Sequence, residues 1–346
     1  MIDLRSDTLT VPCESMRQAI ANAEVNDDVI DVDPTVERLQ QKTAEIFGKD
    51  AAMFMPSGTM TNQVAVRLHC NPGDELICES GCHIYNYEQA GFAQLSGVAT
   101  RTVKGSNSVL NLNQLTNLIR PNNEHMAQTK LLCIENTHNK GGGVVQPYET
   151  VVEVCQWAHN NGLATHLDGA RIFNAIVASG VSAQQWGQHF DTISVCFSKG
   201  LGAPVGSCLI GSNEMVAKMR RHRKLFGGGM RQSGFLGAAA LFALENNVER
   251  LADDHKHARI IAETVSDTDG LTLDVDQVET NILVFRVDPD LMSATEFCEQ
   301  AKLAGVWMFP FSHEDVRAVT HVHITEQDAI EAGNRIRAIA LAAIAH

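Results

Sequence analysis

The chain has 346 residues, more than one core normally holds, with 44% hydrophobic and 20% charged residues, the balance of a globular protein. Its 27 basic and 41 acidic residues leave a formal net charge of −14, which argues against nucleic acid or an anionic membrane as partner. No apolar run is long enough to span a bilayer, and Met1-Ile2-Asp3-Leu4-Arg5 lacks the basic-then-apolar build of a secretory leader.

In chain order, Asp3-Leu4-Arg5-Ser6-Asp7-Thr8 reads as polar and extended, and Pro12 is placed to begin a helix. A helix opened by Pro34 is expected to run to about Phe47. A short strand at 51–55 then turns through Pro56-Ser57-Gly58-Thr59 into another helix. Beyond it, strands are expected at 75–78, 99–103, 130–134, 163–167, 192–197 and 205–210. Helices are expected at 113–119, 150–160 and 213–225. This alternation predicts an α/β fold with a mostly parallel central sheet. An alanine-rich helix at 232–249 leads to an α+β piece. It has a helix near 255–265, strands at 281–287 and 316–325, and a last helix from Glu326. The expected division is a large domain, 1–250, that includes an N-terminal arm, and a smaller C-terminal domain, 251–346.

The nine cysteines are scattered, with no C-x-x-C pair, which suits a reducing cytoplasm. Cys78, Cys82 and His83 are close in sequence, but no second ligand pair follows, so no metal site is expected. His321 and His323 read as packing or solvent residues on one strand face. The run Arg220-Arg221-His222-Arg223-Lys224 reads as a solvated helix face.

The chemistry concentrates at strand ends. Lys199 follows an apolar strand and precedes a glycine-proline turn and a second strand. A lysine there is costly as an ammonium, and a neutral amine attacks carbonyls as Schiff-base lysines do. Asp168 ends another apolar strand, where ligands of open α/β sheets collect. Each has a plain structural reading, a hairpin lysine and a helix cap. Together they fit pyridoxal 5'-phosphate, which needs an amine for its aldehyde and an acid beside its pyridine nitrogen. Ser57-Gly58-Thr59 opens a helix after a strand, a seat for a phosphate dianion, although the same triplet is also an ordinary cap. The glycines around Lys199 lack nucleotide-loop spacing.

Several segments carry a family resemblance. Asp3-Leu4-Arg5-Ser6-Asp7-Thr8, Pro56-Ser57-Gly58-Thr59, Glu135-Asn136-Thr137-His138-Asn139, His166-Leu167-Asp168-Gly169-Ala170-Arg171, Ser198-Lys199-Gly200-Leu201-Gly202-Ala203-Pro204-Val205-Gly206 and Gly227-Gly228-Gly229-Met230-Arg231-Gln232 together resemble the low-specificity L-threonine and L-allo-threonine aldolases. These are aspartate-aminotransferase-like (fold type I) pyridoxal-phosphate enzymes. The resemblance implies that Lys199 carries the cofactor and Asp168 faces its ring nitrogen. It implies Gly58 and Thr59 at the phosphate, His83 stacked on the ring, and Ser6, Arg171 and Arg317 around the substrate carboxylate. His125 would lie near the substrate hydroxyl. Positions matching Lys224 and Arg231 approach the phosphate, partly from a neighbouring subunit, which implies a homotetramer of dimers with shared sites.

The implied reaction is reversible cleavage of a β-hydroxy-α-amino acid to glycine and an aldehyde, with His83 or His125 as base. Rival readings are β-elimination or transamination on the same scaffold, or a pyridoxal-phosphate-binding protein without turnover. Where the family carries Tyr-Gly and an acidic residue before Asp-Pro, this chain has Ile30-Asp31-Val32-Asp33-Pro34, a departure that bears on substrate preference.

Overall fold

Six of the seven strands in the main sheet run the same way, and the exception is the strand that follows the lysine loop. In the computed structural model, which describes residues 1–345, the first half runs β1 (Ile2–Asp3), α1 (Glu14–Ala21), α2 (Pro34–Ile46), β2 (Ala51–Met55), α3 (Gly58–His69), β3 (Glu75–Glu79), α4 (His83–Asn86), α5 (Gly91–Ser96), β4 (Ala99–Val103), α6 (Leu112–Leu115) and β5 (Thr129–Glu135). Then come α7 (Tyr148–Asn160), β6 (Ala164–Gly169), α8 (Ile172–Ser179), α9 (Ala183–Gly187), β7 (Thr192–Cys196), β8 (Ser207–Gly211), α10 (Asn213–Leu225) and α11 (Gly234–Asn246). The C-terminal part holds α12 (Leu251–Ser266), β9 (Leu271–Thr272), β10 (Ile282–Val287), α13 (Ala294–Leu303), β11 (Val306–Trp307), β12 (Phe309–Pro310), β13 (Asp315–Val319) and α14 (Glu326–Ile344).

The main sheet is ordered β2-β8-β7-β6-β5-β3-β4, with β8 antiparallel to both neighbours. The expected mostly parallel α/β sheet is therefore present. Every residue of β3, β7 and β8 is buried, which explains why these strands read as unbroken apolar runs. Register aligns Glu135 of β5 with Asp168 of β6, and Asp168 with Ser194 of β7.

The lysine loop from Phe197 to Gly206 is pinned by Phe197 N–H to Gly206 O at 3.0 Å and Gly202 N–H to Lys199 O at 2.8 Å. Gly206 has φ +117°, and a Cβ there would lie 2.5 Å from the Phe54 ring, so only glycine closes this loop over the core.

A second, antiparallel sheet, β12-β13-β10-β9, packs against α12, α13 and α14 around its own apolar cluster. The first residues of the chain join that cluster: β1 pairs in parallel with β11, and Ile2 and Leu4 are buried there. Helix α12 links the two cores, with Leu251 in the first and Ala258, Ile261 and Val265 in the second.

Several local expectations need correction. The helix at 113–119 is one turn, Leu112–Leu115, inside an Asn111/Gln114 capping box, and Pro121 disfavours its continuation. Helix α1 begins at Glu14, two residues past Pro12. The extended reading of residues 3–8 holds for β1, but Asp7–Leu9 form a 3₁₀ turn capped by Ser6 Oγ. Strand β13 ends at Val319, where its pairing with Ile282 ends, so His321 and His323 share no strand face. They anchor the N-terminal arm instead: His321 Nε2 lies 2.9 Å from Asp3 O, and Val11 N–H donates to His323 Nε2 at 2.9 Å. The basic run on α10 is only partly solvated. Arg223 is buried, donating to Asp28 Oδ2 at 2.8 Å and Phe54 O at 3.0 Å.

Candidate active site

The site gathers at the carboxyl ends of β3, β5, β6 and β7, beside the start of α3, where open α/β sheets bind ligands. Asp168 is buried, and its Oδ2 accepts from Asn62 Nδ2 at 2.8 Å, one helical turn beyond Gly58. Asn62 Oδ1 in turn faces His166 Nε2 at 3.1 Å, and His166 Nδ1 faces Thr192 Oγ1 at 2.9 Å. Burial pushes the His166 imidazole down to about 4, so it is neutral at physiological pH. Because the Asn62 NH₂ is committed to a carboxylate, its carbonyl must receive the His166 Nε2–H, which sets that ring's tautomer.

His83 opens the short helix after β3. Its N–H donates to Glu135 Oε2 at 2.5 Å and its Nδ1 lies 2.9 Å from Glu88 Oε1. Glu135 Oε1 also receives the Asn139 N–H at 2.8 Å, so one buried carboxylate ties the His83 turn to the Asn139 loop. Burial pushes the Glu135 carboxyl upward.

Lys199 is half-buried, and its charge acts on Asp7, His83 and the Cys196 thiol. The charge of Asp168 acts on His83 and Cys196 as well, so the lysine and the aspartate share one neighbourhood.

Arg171 directly follows β6. Its Nε and NH2 clamp Asp7 Oδ2 and Oδ1 at 2.7 and 2.6 Å, a bidentate fork inside the protein. Burial alone would raise the Asp7 carboxyl, but the Arg171 guanidinium, with Lys199 and Arg317, holds it well below the usual range. Arg171 NH1 and Arg317 NH2 both donate to Asn139 Oδ1, at 3.3 and 3.0 Å. Arg317, reached from the second sheet, also donates through NH1 to Arg5 O at 3.3 Å. Its Nε has no partner although the residue is only 9% exposed. Burial and the adjacent Arg171 lower Arg317 to about 10. Ser6, next to Asp7, accepts from Thr8 N at 3.2 Å and Thr8 Oγ1 at 2.8 Å.

At the other side, Ser57 Oγ accepts from Met60 N at 3.2 Å, capping α3 and leaving the Gly58 and Thr59 N–H groups without intrahelical partners. A Cβ on Gly58 would lie 2.6 Å from Cys196 Sγ, so glycine lets the helix start press onto β7.

The structure therefore unites Lys199, Asp168, Arg171, Arg317 and His83, with Ser6 beside Asp7 and the Gly58-Thr59 helix start on β7. It does not bring His125, Lys224 or Arg231 into contact with this cluster. The His125 side chain is 81% exposed, and among the described residues Glu124 is its one ion-pair neighbour. Arg231 is held by Asp27 at 3.0 Å. Exposed Lys224 lines an open groove of about 800 Å³ with Asp28, Arg220, Leu225 and Gly229. Asn62, Glu88, Asp7 and Asn139 were missed as site residues by sequence reasoning. Asp7 and Asn139 stand inside the quoted motifs, whereas Asn62 and Glu88 carry no local signal.

The donor set fits pyridoxal 5'-phosphate: an amine just past the carboxyl end of β7, a buried carboxylate on β6 in the same neighbourhood, and a helix start with free N–H groups. The architecture is that of the fold type I enzymes. It superposes on Thermus thermophilus aspartate aminotransferase with TM-score 0.72 at 14% identity (98% of this chain, 91% of that one). On a Leishmania major threonine aldolase the TM-score is 0.83 at 19% identity (98% and 100%). The profile of the beta-eliminating lyase family matches residues 3–288. The chain is also 41% identical over 339 residues to the low specificity L-threonine aldolase of Escherichia coli K12, covering 98% of this chain and 99% of that protein. It belongs to the beta-eliminating lyase family and, within it, to the low-specificity L-threonine aldolases.

Proposed function

We propose that this protein is a pyridoxal 5'-phosphate-dependent aldehyde-lyase that reversibly cleaves L-threonine, L-allo-threonine and related β-hydroxy-α-amino acids to glycine and an aldehyde. The observation that carries this reading is the buried Nε of Arg317, without a partner among the described residues, beside the Asn139-bridged Arg171, with the charges of both Arg317 and Lys199 acting on Asp7. A cationic N–H left open inside a protein is a donor for a carboxylate oxygen. An α-amino acid seated there presents its amine toward the lysine.

When bound, the cofactor supplies an electron-withdrawing ring that stabilises the negative charge left on the substrate α-carbon. Lys199 would hold it covalently, Asp168 would keep its ring nitrogen protonated, and the Gly58 and Thr59 N–H groups would meet its phosphate. Arg171 and Arg317, with Ser6 nearby, fix the substrate carboxylate and so decide which bond at the α-carbon stands ready to break. His83 takes the β-hydroxyl proton. His125 does not serve as base in this reading, because its ring stands in solvent on an outer loop.

Residues 1–250 would hold the cofactor, while 251–346 supply Arg317. Lys224 and Arg231 would complete the phosphate seat of a neighbouring copy in a homotetramer of dimers. Nine free cysteines, eight of them buried, suit a cytoplasmic protein.

The test is an absorbance spectrum with and without glycine, followed by product analysis from L-threonine and L-allo-threonine. Acetaldehyde and glycine are expected. Ammonia and a keto acid would replace this reading with elimination, and a coloured protein without products would mark a binder. Lys199→Ala should lose both the visible band of the lysine-linked cofactor and turnover.

A further inference from the structure

Glu88 lies at the reacting end of the site, yet the cleavage described above does not use it. Its side chain is fully enclosed and its carboxylate accepts three side-chain hydrogen bonds. Oε1 receives His83 Nδ1 at 2.9 Å and Asn62 Nδ2 at 2.8 Å, and Oε2 receives Gln63 Nε2 at 2.6 Å. Ligating atoms of His83, Glu88 and Asp168 all lie within 4.8 Å of one another. Two carboxylates so close would repel, but the Asn62 NH₂ donates one hydrogen to each, and its carbonyl is held by neutral His166.

The backbone is bent to deliver this carboxylate. Gln89 and Ala90 follow with φ of 55° and 52°, a left-handed conformation costing a non-glycine residue about 1–2 kcal/mol each. The turn closes with Gly91 N–H on Glu88 O at 2.9 Å. A glutamate needed only for solubility would require neither the bend nor the enclosure.

We propose that Glu88 is the positioning residue of His83: it accepts a hydrogen bond from Nδ1–H, fixes that tautomer and ring orientation, and leaves Nε2 as the proton acceptor. The proposal rests on the aldol reading of the site. In the step it serves, the hydroxyl O–H bond breaks toward Nε2 and the oxygen pair closes the aldehyde C=O. The Cα–Cβ pair stays on the α-carbon, which later takes a proton. Glu88 keeps its hydrogen bond throughout and is never protonated, as in other carboxylate–histidine pairs.

Charge around the ring agrees. Burial disfavours the His83 cation, but the Glu88 hydrogen bond and the negative charges of Asp168 and Glu88 outweigh it, against opposition from Lys199, so its pKa is raised. Glu135 meets the His83 backbone N–H, and the Tyr87 ring lies 5.5 Å away, centroid to centroid.

The experiment follows the His83 ring nitrogens by NMR in the cofactor-loaded full chain labelled with ¹⁵N-histidine, with His83→Asn assigning the signal. Wild type should show the Nδ1–H tautomer when neutral. Glu88→Gln should lower the His83 proton affinity at least about tenfold. The acid limb of kcat/KM should move to lower pH by the same amount, with plateau kcat down about 10²-fold or more and KM little changed. An unmoved titration and limb in a folded Glu88→Gln would overturn the proposal. A wild-type neutral ring carrying its proton on Nε2 would also overturn it, without any variant. The NMR arm needs no turnover, so a wild type that releases no aldehyde sinks the aldol reading separately, and with it the hydroxyl as proton source.

Discussion

The two ends of the candidate site are opposites in charge and in construction. One end is carboxylate-rich: Asp168, Glu88 and Glu135 surround His83, with Asp168 and Glu135 on strands of the main sheet and Glu88 in the turn between α4 and α5. The other is guanidinium-rich: Arg171, from just past the end of β6, meets Arg317, from the second sheet, across Asn139 of the loop after β5, with Asp7 added by the N-terminal arm. At the first end the Asn62 amide donates to both Glu88 and Asp168, so two buried acids stay side by side. At the second, Asp7 fills one edge of Arg171 while Arg317 keeps an open donor, leaving a seat for an anion. The comparison teaches that a buried ion pair here orients a neighbour for binding, and is not simply a source of stability.

Breaking the first end should have the largest effect. Asp168→Asn keeps the shape and most hydrogen bonds but removes the charge that, in the proposed reading, would face the cofactor's ring nitrogen. Cofactor should remain bound by absorbance while kcat falls roughly 10²- to 10⁴-fold. Full activity would dissociate Asp168 from the chemistry.

At the second end, Asp7→Asn leaves two buried guanidinium groups facing each other with their shared counter-ion gone. Urea unfolding should report a loss of about 3–5 kcal/mol at neutral pH. The native Asp7 carboxyl is depressed, so its contribution is complete above the ordinary carboxylate range near ~3.9 and is lost as pH falls below it. Wild-type stability should therefore drop over that acid interval, and the Asp7→Asn difference should shrink there. A difference unchanged with pH would contradict the pairing.

The smallest effect sharpens the comparison. Arg317→Gln should raise KM for threonine roughly 10- to 100-fold, as expected for losing a charge-assisted bond to a carboxylate. Cofactor absorbance should be unchanged, because this residue belongs to the substrate end alone. A lost cofactor band would merge the two ends into one.

The carboxylate end was largely legible in the chain. Lys199 and Asp168 each terminate an apolar run, and strand periodicity places such residues at the carboxyl ends of strands. Even there Glu88 and Asn62 were invisible: a glutamate five residues after His83 looks like any surface acid until two left-handed residues turn it inward. Helix 113–119 closed after one turn although Asn111 N–H is held by Gln114 Oε1 at its start. The guanidinium end was legible only through resemblance. Arg317 on its own is one arginine on a short strand, and Asp7 one polar residue in an extended arm.

What the chain alone determined is the alternation of buried strands and helices, the glycine-closed lysine loop and the acid at the end of β6, because these depend on local periodicity and steric fit. What only the tertiary structure decided is which charges are already spent. Arg171 is committed to Asp7 across 164 residues, His83 to a buried Glu88, and Arg317 is left with one free nitrogen. Burial removes the water that would otherwise satisfy each of these groups. Their partners, and the open nitrogen of Arg317, then follow from which distant segments the two sheets bring together.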